Sequence, residues 1–184
     1  MRLFVAIDVP GDIRKRLHEF MKQLNFPESR IKLVGPENLH FTVKFLGEVG
    51  EDKLHDIENR INLVVKGFLP FDISVEKTGF FGKPDHIKTV WTDVVTGHET
   101  ITDLMREMNS SLKHFMWESR EPVPHLTLGR VKDSSDTSRL HEKLRETIGM
   151  KFGEFRVSDV KLKSSRLTPE GSIYSDVKAF SLGE

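Results

Sequence analysis

The chain has 184 residues, enough for one compact unit or two intimate lobes, and an apolar content of 37% with 13 glycines excludes extended disorder. Its 28 Lys and Arg balance 28 Asp and Glu, so no global field holds a nucleic-acid backbone and any such contact has to be local. The absence of cysteine excludes disulfides, thiolate catalysis and Cys-based zinc sites, and the apolar run Leu3 to Ile7 is too short for a signal-peptide core or a membrane span, so a cytoplasmic protein without membrane attachment is expected.

Leu3, Val5, Ile7 and Val9 alternate with Phe4, Ala6 and Asp8 and predict a strand; after Pro10-Gly11-Asp12, Ile13, Leu17, Phe20 and Leu24 recur at helical spacing. A short strand at 31–34 and a Gly35-Pro36 turn precede the second main strand, 39–46, which Gly47 ends. Leu54, Ile57, Ile61 and Val64 predict a helix, followed by strand-like runs at 71–75 and 87–95 parted by Gly79, Gly82 and Pro84. The second half reads alike. A helix on Ile101, Leu104, Met105, Met108 and Leu112 leads to a strand at 123–131, then to a helix on Leu140, Leu144 and Ile148 capped at Ser134-Ser135-Asp136, and to strands at 155–162 and 173–180. The most loop-like stretch of this half is 164–172, with Pro169 and Gly171, and the Met105 and Met108 pair is expected in the core.

Residues repeat as well as elements. His40-Phe41-Thr42-Val43 returns as His125-Leu126-Thr127-Leu128, 85 residues on, and Leu54-His55, Phe71 and Ile87 return as Leu140-His141, Phe155 and Ile173 at offsets of 84 to 86. This predicts a single domain, 1–184, built by internal duplication with approximate repeats 1–90 and 91–184. The expected fold class is α+β: two pseudo-symmetric lobes, each a mostly antiparallel sheet with two helices on its outer face, and an active-site cleft between them.

On a strand, residues two apart share a face, so His40 and Thr42 point one way and Phe41 and Val43 the other; His125 and Thr127 repeat this against Leu126 and Leu128. Two imidazoles and two hydroxyls meeting across a cleft suit a phosphate, because threonines donate to nonbridging oxygens and histidines titrating near 6.5 serve as acid and base together. One such histidine is ordinarily just a satisfied strand residue; packing has no reason to demand the same polar pair twice. A metal site is disfavoured, since each strand offers one good ligand and a catalytic zinc wants three. Phe45 and Arg130 each lie five residues beyond a histidine, nominally on the opposite pleat, so a bulge, or the end of the strand near Leu46-Gly47 and Gly129, has to turn them towards the ligand, where a flat aromatic or guanidinium meets a nucleobase, or the arginine clamps the phosphate. His18, His55, His86, His98, His114 and His141 pair with no threonine on a strand face and read as surface or local structure.

Leu39-His40-Phe41-Thr42-Val43-Lys44-Phe45-Leu46-Gly47 and Pro124-His125-Leu126-Thr127-Leu128-Gly129-Arg130 resemble the paired His-x-Thr-x signatures of the two-histidine phosphoesterase superfamily, and most of all its RNA 2',3'-cyclic phosphodiesterases, also called 2'-5' RNA ligases. The strand Arg2-Leu3-Phe4-Val5-Ala6-Ile7-Asp8, Phe81 with Trp91, and the stretch from Ser165 to Tyr174 are similar to that family too. The resemblance implies hydrolysis of RNA 2',3'-cyclic phosphate ends to 2'-phosphates with neither metal nor other cofactor. It also implies His40 as proton donor and His125 as acceptor, and a reversible 2'-5' joining of tRNA halves; a monomer is expected. A cyclic phosphodiesterase of a small nucleotide, such as ADP-ribose cyclic phosphate, needs the same side chains, and a non-catalytic RNA-end-binding module is the reading outside enzymes. A basic patch drawn from Lys32, Lys44, Lys83, Lys88, Lys163 and Arg166 would favour RNA.

Overall fold

In the first strand, β1 (Arg2–Asp8), Leu3, Phe4, Val5, Ala6 and Ile7 are all buried, which marks it as an interior strand with side chains covered on both its faces. Leu3, Val5 and Ile7 join the main apolar core, while Phe4 faces the opposite way, against the rings of His40, Phe45 and Tyr174. The computed structural model describes residues 1–116, 121–132, 137–169 and 171–183; the expected cap at Ser134-Ser135-Asp136 lies outside them.

After β1 come α1 (Gly11–Leu24), β2 (Ile31–Leu33), β3 (His40–Glu48), α2 (Leu54–Val65), β4 (Phe71–Lys83), β5 (His86–Val94) and α3 (His98–Ser111). The remaining elements are β6 (His125–Val131), α4 (Ser138–Arg145), β7 (Lys151–Val157), β8 (Asp159–Leu167) and β9 (Ser172–Ser181). Every strand pair is antiparallel, in the order β7-β4-β5-β6-β3-β1-β8-β9, with β2 added along β6. The fold is therefore α+β, as the sequence predicts. At the middle of the sheet β3 and β6 share a single register pair, Phe41 with Leu126, with β3, β1, β8 and β9 on one side and β6, β5, β4 and β7, joined by β2, on the other. One block, β3-β1-β8-β9, draws on both early and late parts of the chain, whereas β6-β5-β4-β7 is contiguous.

The helices are held by their apolar stripes. Ile13, Leu17, Phe20, Met21 and Leu24 of α1, Ile57, Ile61 and Val65 of α2, Ile101, Leu104 and Met108 of α3, and Leu140 and Leu144 of α4 are buried in one cluster with the core-facing strand residues. Each fully buried side chain of this kind contributes about 1.5–3 kcal/mol relative to exposure. Among the described residues no helix is long and apolar enough to cross a membrane.

Four segments depart from the predicted elements. α4 ends at Arg145, so Ile148, expected on its apolar stripe, lies beyond it and is exposed. β4 continues through Gly79 and Gly82 to Lys83, because Gly82 takes φ +118° where the hairpin brings the His86 carbonyl against it. The run at 155–162 splits into β7 and β8: Val157 and Val160 are three apart, so the alternation breaks between them, and the two pieces pair with β4 and β1 respectively. Residues 164–167 extend β8 along β9 and Ser172 begins β9, so the expected loop is shorter than predicted; the Thr168 N–H donates to the Gly171 carbonyl at 2.8 Å.

Candidate active site

β3 and β6 approach at Phe41 and Leu126, and a cavity of about 590 Å³ opens there on the face opposite those side chains. His40, Thr42, Phe45, His125, Thr127 and Arg130 all line it. Period-two alternation explains the first four: Phe41, Val43, Leu126 and Leu128 are buried in the core, which turns their neighbours outwards. The other two require the expected irregularity, and it is present on both strands. Val43 has no partner between the pairs Thr42–Ala6 and Lys44–Val5, and Leu128 has none between Thr127–Trp91 and Gly129–Val90. Each unpaired residue shifts the pleat by one, so Phe45, 44% exposed, and Arg130 reach the cavity.

The two imidazoles are held alike. His40 Nδ1 lies 2.7 Å from the Asn38 carbonyl and His125 Nδ1 lies 2.8 Å from that of Val123. A carbonyl only accepts, so each Nδ1 carries a proton and Nε2 is the nitrogen left for a ligand. Thr42 Oγ1, 3.0 Å from His40 Nε2, donates to it. His40 packs on Phe4, with ring centroids 5.1 Å apart, and against the edge of Tyr174 at 5.3 Å; His125 meets Phe81 at 5.0 Å and Trp91 at 6.4 Å. Burial pushes the His40 imidazole below its ordinary value, with the Lys163 charge in the same direction; the Asn38 hydrogen bond and the Asp8 charge oppose this and are outweighed.

Asp8, in register with His40, belongs to a four-membered ion cluster. Lys161 Nζ lies 2.9 Å from Asp8 and 2.8 Å from Asp176, and Lys163 Nζ lies 2.9 Å and 2.6 Å from the same two carboxylates. Both carboxyls fall below their ordinary value: for Asp8 burial works upwards but the two lysines prevail, and for Asp176 the Lys161 hydrogen bond dominates. Lys163 is thus occupied and 9% exposed, and Lys44 is 1% exposed, so neither contributes to a surface basic patch; Lys32, Lys83, Lys88 and Arg166 are exposed.

Sequence reasoning from the residues missed several lining groups. Asn38, Met105, Glu121 and Tyr174 all reach the cavity, and Met105 does so while remaining 8% exposed and packed in the core; Lys44, expected only in a basic patch leading from the cleft, lines it too. Tyr174 and Phe81 were signalled only by the family resemblance. Phe81 had a register signal in principle, since it opposes Thr89, which opposes Arg130. Among the described residues no group of three or more His, Asp or Glu is arranged to hold a metal ion.

The chain matches the family described as LigT like Phosphoesterase over residues 7–91 and 95–174. It is 40% identical over 183 residues, 99% of each chain, to the RNA 2',3'-cyclic phosphodiesterase of Methanothermobacter thermautotrophicus. It is 41% identical over 181 residues to that of Archaeoglobus fulgidus, covering 98% of this chain and 99% of the relative. A crystal structure of a Thermus thermophilus protein superposes with a TM-score of 0.82 at 26% identity, covering 100% of this chain and 98% of that one. Matched along nearly its whole length, with both His-x-Thr-x strands inside the matched segments, the chain belongs to the LigT-like phosphoesterases, the two-histidine family that its paired motifs resemble.

Proposed function

We propose that this protein hydrolyses RNA 2',3'-cyclic phosphate ends to 2'-phosphates without a metal ion, His40 and His125 acting as a proton-transfer pair. The observation that carries this reading is the matched pair of imidazoles lining one cavity, each with Nδ1 tied to a main-chain carbonyl two residues before it and Nε2 left for a ligand. In the proposed step His125 Nε2 takes a proton from water, the water oxygen bonds to phosphorus, and the bond from phosphorus to O3' breaks as His40 Nε2–H protonates O3'. Thr42 and Thr127 donate to the nonbridging oxygens, where charge accumulates, and Arg130 adds a cationic donor. Phe45 stacks on the terminal base. Donation by His40 needs its doubly protonated ring. Burial opposes that, and an anionic diester beside the ring favours it. A 5'-hydroxyl replacing water in the same step forms a 2'-5' linkage, the joining reaction proposed for tRNA halves.

We also read the two sides of the sheet as copies of one unit. Supporting this, the pairs Ala6–Thr42 and Phe4–Phe45 correspond to Trp91–Thr127 and Thr89–Arg130 at a constant offset of 85, with the bulges at Val43 and Leu128 in step. On that reading two pseudo-symmetric lobes have exchanged their third strands, β4 and β8. The deciding experiment for function is incubation of an oligonucleotide ending in a 2',3'-cyclic phosphate with the protein in excess EDTA, followed by identification of the product end. A 2'-phosphate is expected; a 3'-phosphate, or turnover only after zinc or manganese is restored, refutes the proposal.

A further inference from the structure

Arg130 lines the cavity, and the strand carrying it continues outwards. β2 runs along that part of β6, with Lys32 directly opposite Arg130 and Ile31 opposite Val131. One step further, the Lys132 N–H donates to the Arg30 carbonyl at 3.1 Å. Directly opposed residues of an antiparallel pair share a face, as do residues two apart along a strand. Lys32 and Arg130 therefore project on one side, the side on which Arg130 meets the cavity, while Ile31 is buried on the other, and Lys132, the first residue past β6, extends the same exposed run of cations. All three cations are exposed, and among the described residues none is in an ion pair. Like charges directly opposite each other across strands weaken a sheet, so the Lys32–Arg130 pair carries a standing cost that an anion lying over it relieves. The far side of the sheet is arranged differently, with Lys161 and Lys163 each shared by Asp8 and Asp176. Two residues of extended chain span about 7 Å, on the scale of one nucleotide step in an extended single strand, so Lys132 lies up to about that far beyond Arg130.

We propose that Lys32, Arg130 and Lys132 form a phosphate track that receives the RNA strand leading into the cavity, so that the protein acts on oligonucleotide ends in preference to cyclic mononucleotides. This rests on the cyclic-phosphate reading above and adds the path and size of the substrate. A small nucleotide ends within the cavity and has no phosphates to lay over Lys132.

The test compares kcat/KM for a 2',3'-cyclic mononucleotide and for a single-stranded oligonucleotide with the same terminal nucleotide, over a range of salt. The variants are Lys32→Glu, Lys132→Glu and their combination, with Arg130 left intact because it lines the site. The wild type is expected to favour the oligonucleotide, with a logarithmic salt slope of about −0.7 for each phosphate engaged, and the double variant to lose about tenfold or more on the oligonucleotide while its slope flattens. The mononucleotide rate stays unchanged. Lys66→Glu, at the end of α2, makes the same charge change away from the track, and Arg166→Glu probes an exit over β8 and β9. Equal efficiency on both substrates in the wild type, an equal loss in Lys66→Glu, or a loss confined to Arg166→Glu overturns the inference while leaving the hydrolysis intact. If the wild type cleaves neither substrate, the cyclic-phosphate reading itself fails; binding of a 2'-phosphorylated oligonucleotide, followed by fluorescence anisotropy in the same variants, then decides the track on its own.

Discussion

Gly79 and Trp91 face each other across β4 and β5, and the indole lies flat on the bare glycine backbone. A Cβ added at Gly79 falls 2.5 Å from Cζ2 and 2.7 Å from Cζ3 of that ring. Carbon atoms rest at about 3.5–4.0 Å, so the alanine variant has to displace the indole by about 1 Å. β5 lies between β4 and β6, so the displacement is towards Thr127 and His125, whose ring centroid is 6.4 Å from that of Trp91. Overpacking of this kind costs about 1–3 kcal/mol, against about 0.4–1 kcal/mol gained by stiffening the unfolded chain, a net loss of about 1–2 kcal/mol. For a chain of this size each kcal/mol moves Tm by about 2–4 °C. A shift of about 1 Å in a reacting group costs up to about 10²-fold in rate, so Gly79→Ala is expected to lose roughly 10- to 100-fold in kcat with a Tm lowered by about 2–8 °C. Thermal unfolding and turnover on a cyclic-ended oligonucleotide measure both, with Gly11→Ala as the control, since a Cβ there meets nothing within 4 Å. Wild-type Tm and turnover in Gly79→Ala would show that the indole is not pinned between that glycine and the histidine.

Replacing either His40 or His125 by alanine is expected to lower turnover by about 10²–10⁴ while binding of a 2'-phosphorylated product persists. A substrate with sulfur at the 3' bridging position needs no proton on its leaving group, so it should restore His40→Ala and not His125→Ala; the reverse pattern exchanges the two roles. Thr42→Ala and Thr127→Ala should raise KM and lower kcat together, because the hydroxyls hold the phosphate before and during the step; a pure KM effect contradicts transition-state stabilisation. Lys163→Met removes a cation that depresses His40, so the limb of the pH–rate profile governed by His40 should move to higher pH, and an unmoved limb rules out that coupling. The same substitution strips Asp8 and Asp176 of a partner and should cost about 1–3 kcal/mol in denaturant unfolding, given the partial exposure of both carboxylates. For the wild type, His40 is depressed in the folded state, so its contribution to stability is complete above the ordinary 6.5 and lost as pH falls through the folded value. A second loss, from Asp8 and Asp176, begins below about 3.8, and unfolding midpoints measured against pH should show both.

Those residues of the site that obey strand alternation were legible in the sequence, since His40, Thr42, His125 and Thr127 need only the period of two and a buried Phe41 and Leu126. Phe45 and Arg130 were legible through a misfit: their spacing is wrong for an unbroken strand and asked for either a bulge or a strand end near Leu46-Gly47 and Gly129, and the structure has bulges, at Val43 and Leu128. What pairing decides was not legible. Lys163 reads as a surface lysine until β1 and β9 bring Asp8 and Asp176 to it, and Tyr174 lies 134 positions from the histidine it packs against. The length of β4 was hidden for a local reason, because Gly79 and Gly82 signal a turn, whereas one receives an indole and the other a bulge in a continuing strand.

The split descent of the sheet also bears on how the protein is made. Strands β4 to β7 lie contiguously in the chain and can pair as they leave the ribosome, closing short loops first. The block that seats His40 cannot, because β1 and β3 must wait for β8 and β9, synthesised more than a hundred residues later. Until then β1, apolar on both faces, has an unpaired edge, and neither Tyr174 nor the Asp176 cluster exists around His40. A nascent chain is therefore without a finished pocket until β8 and β9 have emerged, so whatever the site does begins only when synthesis is all but over.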